Sequence, residues 1–519
     1  MVVSGYWPSQ APYEEFPLPE VLHRSAESFG DKPALISADG TTRTYRDVWS
    51  YARKVAHFLQ DHGIEKGDKV GIFSPNHIDY ASVFHGILLA GATVTTLNPL
   101  YREREIEHQL DDAEAVALFV FGPMAEPVEA ARRNLPRLRH VWPIDDLPDL
   151  VGAVSEEYRP VAINPCEDVA VLPYSSGTTG LPKGVMLTHY NIACNVKQGL
   201  ATEQLTPDSV SLCVLPFFHI YGMTVFLSTT LALGATLVVM MRFDVEQMLH
   251  LAGKYGMSNL YLAPPAILAM ANVPNPSRFD TSSLRVVHSA AAPLPLEVAE
   301  QVKSIYGCLV TQGYGLTETS PGTNTNPLDR IKLESCGPPM ADTFEKIVSL
   351  TTGEELAAGE VGELAVRGPQ VMKGYWKRPA ETSECLSEDG WLLTGDIGWL
   401  DEDGYLYILD RKKEMIKYKG YQVAPAELEA VLHEHPAVLD AAVVPKPHLE
   451  GGEIPKAFVV LREGFQASPE ELMAFVAEKV APYKKIREVE YVTEIPKSAA
   501  GKILRRDLIE RERGREKHG

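Results

Sequence analysis

The sequence predicts a large α/β domain of parallel sheets flanked by helices, followed by a small α+β domain. Three observations carry this. Strand-like and helix-like patterns alternate over roughly the first 410 residues, as expected of parallel sheets covered by helices. A turn- and charge-rich stretch, Asp401-Glu-Asp-Gly404 and then Asp410-Arg-Lys-Lys-Glu414, interrupts that alternation. Beyond it lies a different, compact pattern of about 105 residues, an ordinary size for an independent domain. A chain of 519 residues also exceeds what one hydrophobic core supports.

Within the large domain, Lys69–Phe73 reads as a strand and Tyr80–Leu89 as a helix stopped by Gly91. Ala92–Thr96 is the next strand, Glu103–Asp112 the next helix, and Val169–Pro173 and Cys308–Thr311 are further strands. Ile220–Met241 carries no charge and is long enough to span a bilayer. Gly234 divides it into a helix-like half and a strand-like half, so a buried helix–turn–strand is expected instead. In the small domain, Glu427–His433 is helical, and Ala441–Pro445 and Ala457–Leu461 are strands. Ser468-Pro-Glu-Glu471 is a capping box with proline at the first helical position, opening a helix to about Val480. Glu488–Val492 is the last strand. His433 and His435 do not form an H-E-x-x-H pair, and they read as surface groups at a helix end.

Hydrophobic content of 45% and charged content of 23% are those of a soluble globular protein. The net charge of −20 disfavours nucleic acid and anionic membrane as partners. A site for an anion must then be a local positive island. The six cysteines are scattered without a C-x-x-C, which indicates neither zinc nor redox chemistry. Met1–Tyr6 has no signal-peptide character and Arg515–Gly519 is no peroxisomal address, so the cytoplasm is the expected compartment.

The richest segment is Tyr174–His189. It gathers hydroxyls at Ser175, Ser176, Thr178 and Thr179, glycines at Gly177, Gly180 and Gly184, and a cation at Lys183. Glycine lets backbone N–H groups turn inward around an anion, and the hydroxyls and lysine add donors. The spacing is not that of a P-loop, because Lys183 is followed by Gly184 where Ser or Thr is needed. The plain alternative is a surface loop between strand and helix. In Gln312-Gly-Tyr-Gly-Leu-Thr-Glu318, Gly313 and Gly315 admit a flat ligand, Tyr314 offers a stacking ring, and Glu318 a hard oxygen for Mg²⁺. Alone, the segment reads equally as a tight turn. Asp396, between Gly395 and Gly398, is placed to accept from ribose hydroxyls, or is simply a turn residue. Arg411, Lys412, Lys413, Lys417 and Lys419 form the required positive island, or a solvated linker. Lys502 follows Gly501 near the C-terminus and by itself signifies nothing.

Together and in this order, over nearly the whole chain, these segments resemble the adenylate-forming (AMP-binding) superfamily of acyl-CoA synthetases, luciferases and synthetase adenylation domains. Within it the chain is similar to 4-coumarate–CoA ligases and to medium- or long-chain fatty acyl-CoA ligases. The resemblance implies residues 1–411 as an adenylation domain with ATP and acyl pockets and a β-rich subdomain. Residues 412–519 would be a mobile domain carrying the adenylation lysine. It implies ATP, Mg²⁺ and coenzyme A acting on a small carboxylic acid, with no nucleic-acid partner and no integral membrane segment, in a monomer or homodimer. A carboxylate attacks the α-phosphate to give acyl-AMP and pyrophosphate, and the CoA thiol then displaces AMP.

By the same resemblance Ser175, Ser176, Gly177, Thr178, Thr179, Gly180 and Lys183 cradle the β- and γ-phosphates. Thr317 meets the α-phosphate and Glu318 holds the metal. Ala291 and the segment Gln312, Gly313, Tyr314, Gly315 border the nucleotide, with the adenine against Gln312–Tyr314. Asp396 and Arg411 hold the ribose. Lys502 reaches the α-phosphate and the acyl carboxylate. Lys417 serves with the other face of the small domain, and Lys413 is the hinge. Arg242, Lys419 and Gly420 meet CoA. His219, Ile220, Tyr221, Ala291, Gly313, Pro321 and Gly322 line the acyl pocket, with His219 by the carboxylate. Two departures stand out: Ala290 where relatives often have glycine, and Gly322 where plant coumarate ligases have a bulkier residue, which widens the pocket. The competing functions are an acyl-AMP ligase that loads a carrier protein, a luciferase-like oxygenase and a non-catalytic nucleotide-binding module.

Overall fold

The apolar runs between Gly and Pro punctuation become strands, and the helices between them cover the resulting sheets. The computed structural model describes residues 1–519 except 176–181, 203–204, 413, 419–420, 449–451, 481, 499–500 and 517–519. Among the described residues the strands form five sheets. The first has at its centre the parallel strands Lys69–Phe73, Thr93–Thr96, Ala115–Val120 and His140–Pro143. Val169–Val171 extends it, followed by the antiparallel Lys183–Thr188 and then Gly374–Tyr375. The second joins Val210–Cys213, Thr236–Val239, Pro33–Ser37 and Thr42–Thr44. The third runs Asn259–Leu262, Val286–Ser289 and Leu309–Gly315 in parallel, with Gly322–Thr325 folded back antiparallel.

The fourth sheet is antiparallel: Val3–Ser4, Phe344–Val348, Gly362–Arg367, Leu392–Leu400 and Leu406–Arg411. The fifth belongs to the C-terminal region and orders Tyr421–Val423, Ile416–Tyr418, Gly452–Leu461 and Val438–His448, with Glu488–Tyr491 beside Gly452–Leu461. Its core of Ile416, Leu428, Val443, Val459, Leu472 and Val476 is separate from the cores of the larger sheets.

Helices form at Tyr80–Leu89 and Glu103–Ala113, and at Pro469–Lys479 behind the Ser468–Glu471 capping box. Tyr80–Leu89 is buried nearly all round because it lies against the helix Tyr45–Asp61, where a β-carbon on Gly86 would stand 2.5 Å from Val55. The uncharged stretch breaks at Gly234, whose φ of 79° places it in the left-handed region. Its first part is a π-helix, Gly222–Thr230, in which Ser228 Oγ and Thr229 Oγ1 donate to the carbonyls of Met223 and Thr224, five residues back. Among the described residues no helix is long and apolar enough to cross a membrane.

Two local expectations are corrected. Gln312–Gly315 is not a turn after a strand but the end of the strand Leu309–Gly315 itself. His435 is buried and His433 partly buried rather than superficial, because the chain continues into the strand Val438–His448. His435 Nδ1 accepts from the Ala437 N–H at 3.3 Å.

Glu345 is fully buried behind the third sheet, with Oε2 accepting from Asn324 Nδ2 at 3.1 Å and Oε1 unpartnered among the described residues. Burial pushes its pKa up to about 8. This lies above the unfolded value of about 4.3, so the stability it contributes is complete below that pH and is lost as pH rises through the folded pKa. Glu345→Gln is therefore expected to gain stability relative to the parent from about pH 4.3 up to about 8, and then plateau. Denaturant melts across that range check it, and a difference independent of pH would contradict it.

Candidate active site

The C-terminal ends of the first and third sheets, the edge of the antiparallel sheet and one face of the small domain enclose a cavity of about 1690 Å³. Pockets for one small ligand measure roughly 300–1,000 Å³, so there is room for several groups at once. Lys183, Arg411, Lys412, Lys417, Lys497 and Lys502 all line it. In a chain of net charge −20 this is the positive island that an anionic ligand needs.

Ser175 and Lys183 face each other as register partners on the paired strands Tyr174–Ser175 and Lys183–Thr188. The glycine–hydroxyl segment is therefore flanked by two strands, not by a strand and a helix. Ser176, Gly177, Thr178, Thr179 and Gly180 lie outside the described residues. The turn Thr317–Thr319, just after the strand Leu309–Gly315, sets Thr317 and Glu318 on the cavity wall. Glu318 Oε1 accepts from Ser175 Oγ at 3.0 Å and from Tyr375 OH at 2.9 Å, while Lys183 Nζ stands 5.2 Å from the Tyr375 ring centroid. A hydroxyl, a carboxylate, an aromatic ring and an ammonium thus share one corner.

That corner is braced by Asp112, which the sequence reading missed. Its carboxylate accepts from Tyr174 OH at 2.7 Å and Arg378 at 3.0 Å, and its carbonyl from Trp376 Nε1 and Lys377 Nζ. Tyr375 was missed as well. Its signal was an aromatic pair, Tyr375-Trp376, between Gly374 and the Arg378-Pro379 helix start.

On the nucleoside side, Asp396 and Arg411 are register partners of adjacent antiparallel strands. Arg411 Nε meets Asp396 Oδ1 at 2.8 Å, and Tyr314 OH donates to Oδ2. Burial pushes the Asp396 carboxyl above its ordinary value, opposed by Arg411. Asp396 is thus already held by two donors rather than standing open. Gly313, Tyr314 and Gly315 line the cavity. A β-carbon at Gly313 would stand 2.8 Å from His288 Nε2 and 2.9 Å from the Asn324 carbonyl, so only glycine fits there. Gln312 is not among the lining residues: Oε1 accepts from Leu294 N and Nε2 donates to the Leu333 carbonyl at 2.6 Å. Its side chain ties two loops together. Ala291 lines the cavity with a φ of 76°, a left-handed conformation that costs a non-glycine residue about 1 kcal/mol.

His219, Ile220, Tyr221, Pro321 and Gly322 form the far wall. Burial pulls the His219 pKa down to about 4, so its imidazole is neutral at physiological pH. Its Nδ1 accepts from the Tyr221 N–H at 3.3 Å, which places its own proton on Nε2. His219 therefore offers a hydrogen bond and not a counter-charge. At Gly322 a β-carbon would stand 2.9 Å from Met340 Sδ, so the width expected there is shared with Met340.

Lys502 reaches the cavity from the small domain. Burial lowers its pKa, helped by Arg411 and opposed by Glu414 and Asp396. Its Nζ lies 3.7 Å from Glu414 Oε1. Lys417 lines the same cavity. Arg242 is exposed and outside the cavity, just past the strand Thr236–Val239. Lys413, Lys419 and Gly420 lie outside the described residues. Among the described residues no group of three His, Cys, Asp or Glu side chains could hold a metal by itself.

Two sheet-based lobes, a basic cavity at their strand ends and a lysine reaching it from the C-terminal region suit an enzyme that acts on an anionic substrate. Residues 22–376 match the model of the AMP-binding enzyme family, and residues 427–502 that of the AMP-binding enzyme C-terminal domain. The chain belongs to the AMP-binding enzyme family. It is 41% identical to a 4-coumarate–CoA ligase of Pinus taeda, over 96% of this chain and 95% of that one. It is 37% identical to a long-chain-fatty-acid–CoA ligase of Bacillus subtilis (strain 168), over 98% and 97%. Among solved structures, an anthranilate CoA ligase in complex with anthranoyl-AMP aligns with a TM-score of 0.90 at 28% identity, covering 96% and 97%.

Proposed function

We propose that the protein is an AMP-forming acid–thiol ligase: it joins a carboxylic acid to coenzyme A through an acyl-AMP, releasing pyrophosphate and then AMP. The observation that carries this is Lys502, set in the same cavity as Thr317, Glu318 and Arg411, the ion-pair partner of Asp396, although it belongs to the C-terminal region. Carboxylate and phosphate repel one another, so positioning and charge neutralisation are the main catalytic tasks. Lys183 and Ser175 would grip the β- and γ-phosphates, and Thr317 the α-phosphate. Gly313 and Tyr314 would border the adenine, and Asp396 with Arg411 the ribose. Neutral His219 would donate to the acyl carboxylate.

The hard carboxylate of Glu318, with two hydroxyls beside it and no protein cage, suits Mg²⁺, which is commonly bound by one or two carboxylates plus substrate phosphates. Bound there, the metal would neutralise phosphate charge. Residues 1–411 act as the adenylating domain, and 412–519 as a domain that turns about Lys413 between half-reactions. That turn would bring Lys417 into use and open a path for CoA past Lys419 and Gly420. Arg242, exposed outside the cavity, remains free for a CoA phosphate. The protein works in the cytoplasm.

Incubation with ATP, Mg²⁺, CoA and a panel of straight-chain and arylpropenoic acids should yield AMP and acyl-CoA in equal amounts, with pyrophosphate released. Pyrophosphate without a CoA thioester would instead favour transfer to a carrier protein. Absence of acid-dependent pyrophosphate would leave only nucleotide binding.

A further inference from the structure

The acyl side of the cavity does not end at Gly322. It continues between the helix His189–Thr202 and the π-helix Gly222–Thr230, which lie side by side. Asn195, Gly199 and Thr202 line it from the first helix, at the four- and three-residue spacing of a single helical face. Tyr221, Val225 and Thr229 line it from the other side. Asn195 marks the mouth of this extension: its Oδ1 accepts from Gly322 N at 3.0 Å and its Nδ2 donates to the Gly322 carbonyl at 2.9 Å. From there to Thr202 the wall rises roughly 10 Å, the length of about eight extended methylene groups.

Two hydroxyls and one amide along this wall are turned back onto the protein. Thr202 Oγ1 donates to the Gly199 carbonyl and Thr229 Oγ1 to the Thr224 carbonyl, each at 2.9 Å. The Thr224 hydroxyl is buried without a hydrogen-bond partner among the described residues, and both ends of the Asn195 amide are occupied. Val225 and Gly199, which has no side chain, complete the lining between them.

Gly199 is the informative position. A glycine inside a helix destabilises it relative to alanine. Neither backbone conformation nor packing demands it here, since its φ is not positive and a β-carbon would meet only Thr229 at an ordinary 3.5 Å. What the missing side chain leaves open is the channel.

We infer that the acid is an unbranched alkyl carboxylate of about ten carbons or more, whose tail passes Gly322 and runs between the two helices towards Thr202, with Gly199 setting the usable length. This rests on the acid-activating reading above and specifies its substrate. An arylpropenoate would fill the space before Gly322 and leave the channel empty.

Gly199→Leu projects a side chain across the channel. With dodecanoate its kcat/KM should fall about 100-fold or more, since even one mismatched methylene in an apolar pocket shifts specificity about 10–200-fold. With hexanoate it should stay at the parent value, which also shows that the variant is folded. The parent itself should prefer dodecanoate to 4-coumarate. Retained dodecanoate turnover in Gly199→Leu, or a parent preference for 4-coumarate, overturns the inference. If Gly199→Leu loses every acid equally, Gly199→Ala decides: selective loss of hexadecanoate supports the channel and an unchanged chain-length profile overturns it. A parent that releases pyrophosphate with no acid at all would defeat the ligase reading itself, a separate outcome from a wrong chain length.

Discussion

Lys502→Ala should slow acid-dependent pyrophosphate release by about 10²–10³, the loss typical when a preorganised donor to a developing anion is removed. The side chain is held for that task. Ser498 N donates to the Lys502 carbonyl at 2.7 Å and Gly501 N to the Ser498 carbonyl at 2.8 Å, with Gly501 at φ 82°. A β-carbon on Gly501 would stand 2.8 Å from Pro265 Cδ, so Gly501 rests directly against the helix Pro264–Ala271. Burial, with Arg411 nearby, lowers the lysine pKa, and the cation is the form required. The rate should therefore decline on the alkaline side at a lower pH than an ordinary lysine would give. Rapid-quench measurement of pyrophosphate checks both. Thioester formation from synthetic acyl-AMP and CoA should survive in Lys502→Ala. Equal loss of both half-reactions would make the residue structural.

Arg505→Met should cost the small domain about 3–5 kcal/mol, the usual penalty for removing one partner of a buried ionic cluster. Arg505 donates to Glu414 at 2.8 Å and to both oxygens of Glu429 at 2.9 and 2.8 Å, and all three side chains are nearly buried. Burial already pushes Glu429 up to about 7 against the pull of Arg505. Without the guanidinium two carboxylates are stranded, and Glu414 also flanks Lys502. The six tryptophans all lie at or before Trp399, so tryptophan fluorescence would not report this region. Hydrogen exchange in the helix Pro425–His433 is the proper readout. Adding Glu414→Gln and Glu429→Gln should recover most of the loss, because neutral amides are cheaper to bury unpaired than charges. Unchanged exchange in Arg505→Met would show that the cluster contributes no stability.

What was legible in the sequence depended on the range of the interaction. Tyr80–Leu89 and the Ser468 capping box are set by local periodicity and caps, and they appear as expected. Asp396 and Arg411 could be named from their motifs, yet their pairing across two strands is a matter of register. The Ser175–Tyr375–Glu318 corner and the Asp112 brace join residues far apart in the chain, for which no spacing gives a signal. The side-chain partners of Gln312 were not legible, because an amide that can meet a base can equally tie two loops. The π-helix was hidden in an uncharged stretch, where apolar residues on every side erase the period that would mark its pitch.

The central claim is that chemistry occurs at the α-phosphate while the glycine–hydroxyl loop only holds the leaving group. Turnover of a carboxylic acid labelled with ¹⁸O in its carboxylate tests it most directly. Attack on the α-phosphate forms an acyl-AMP, and thiol attack on its carbonyl leaves one carboxylate oxygen in the AMP. The account predicts one ¹⁸O in AMP and none in pyrophosphate. Label in inorganic phosphate with release of ADP, or unlabelled AMP, would contradict it.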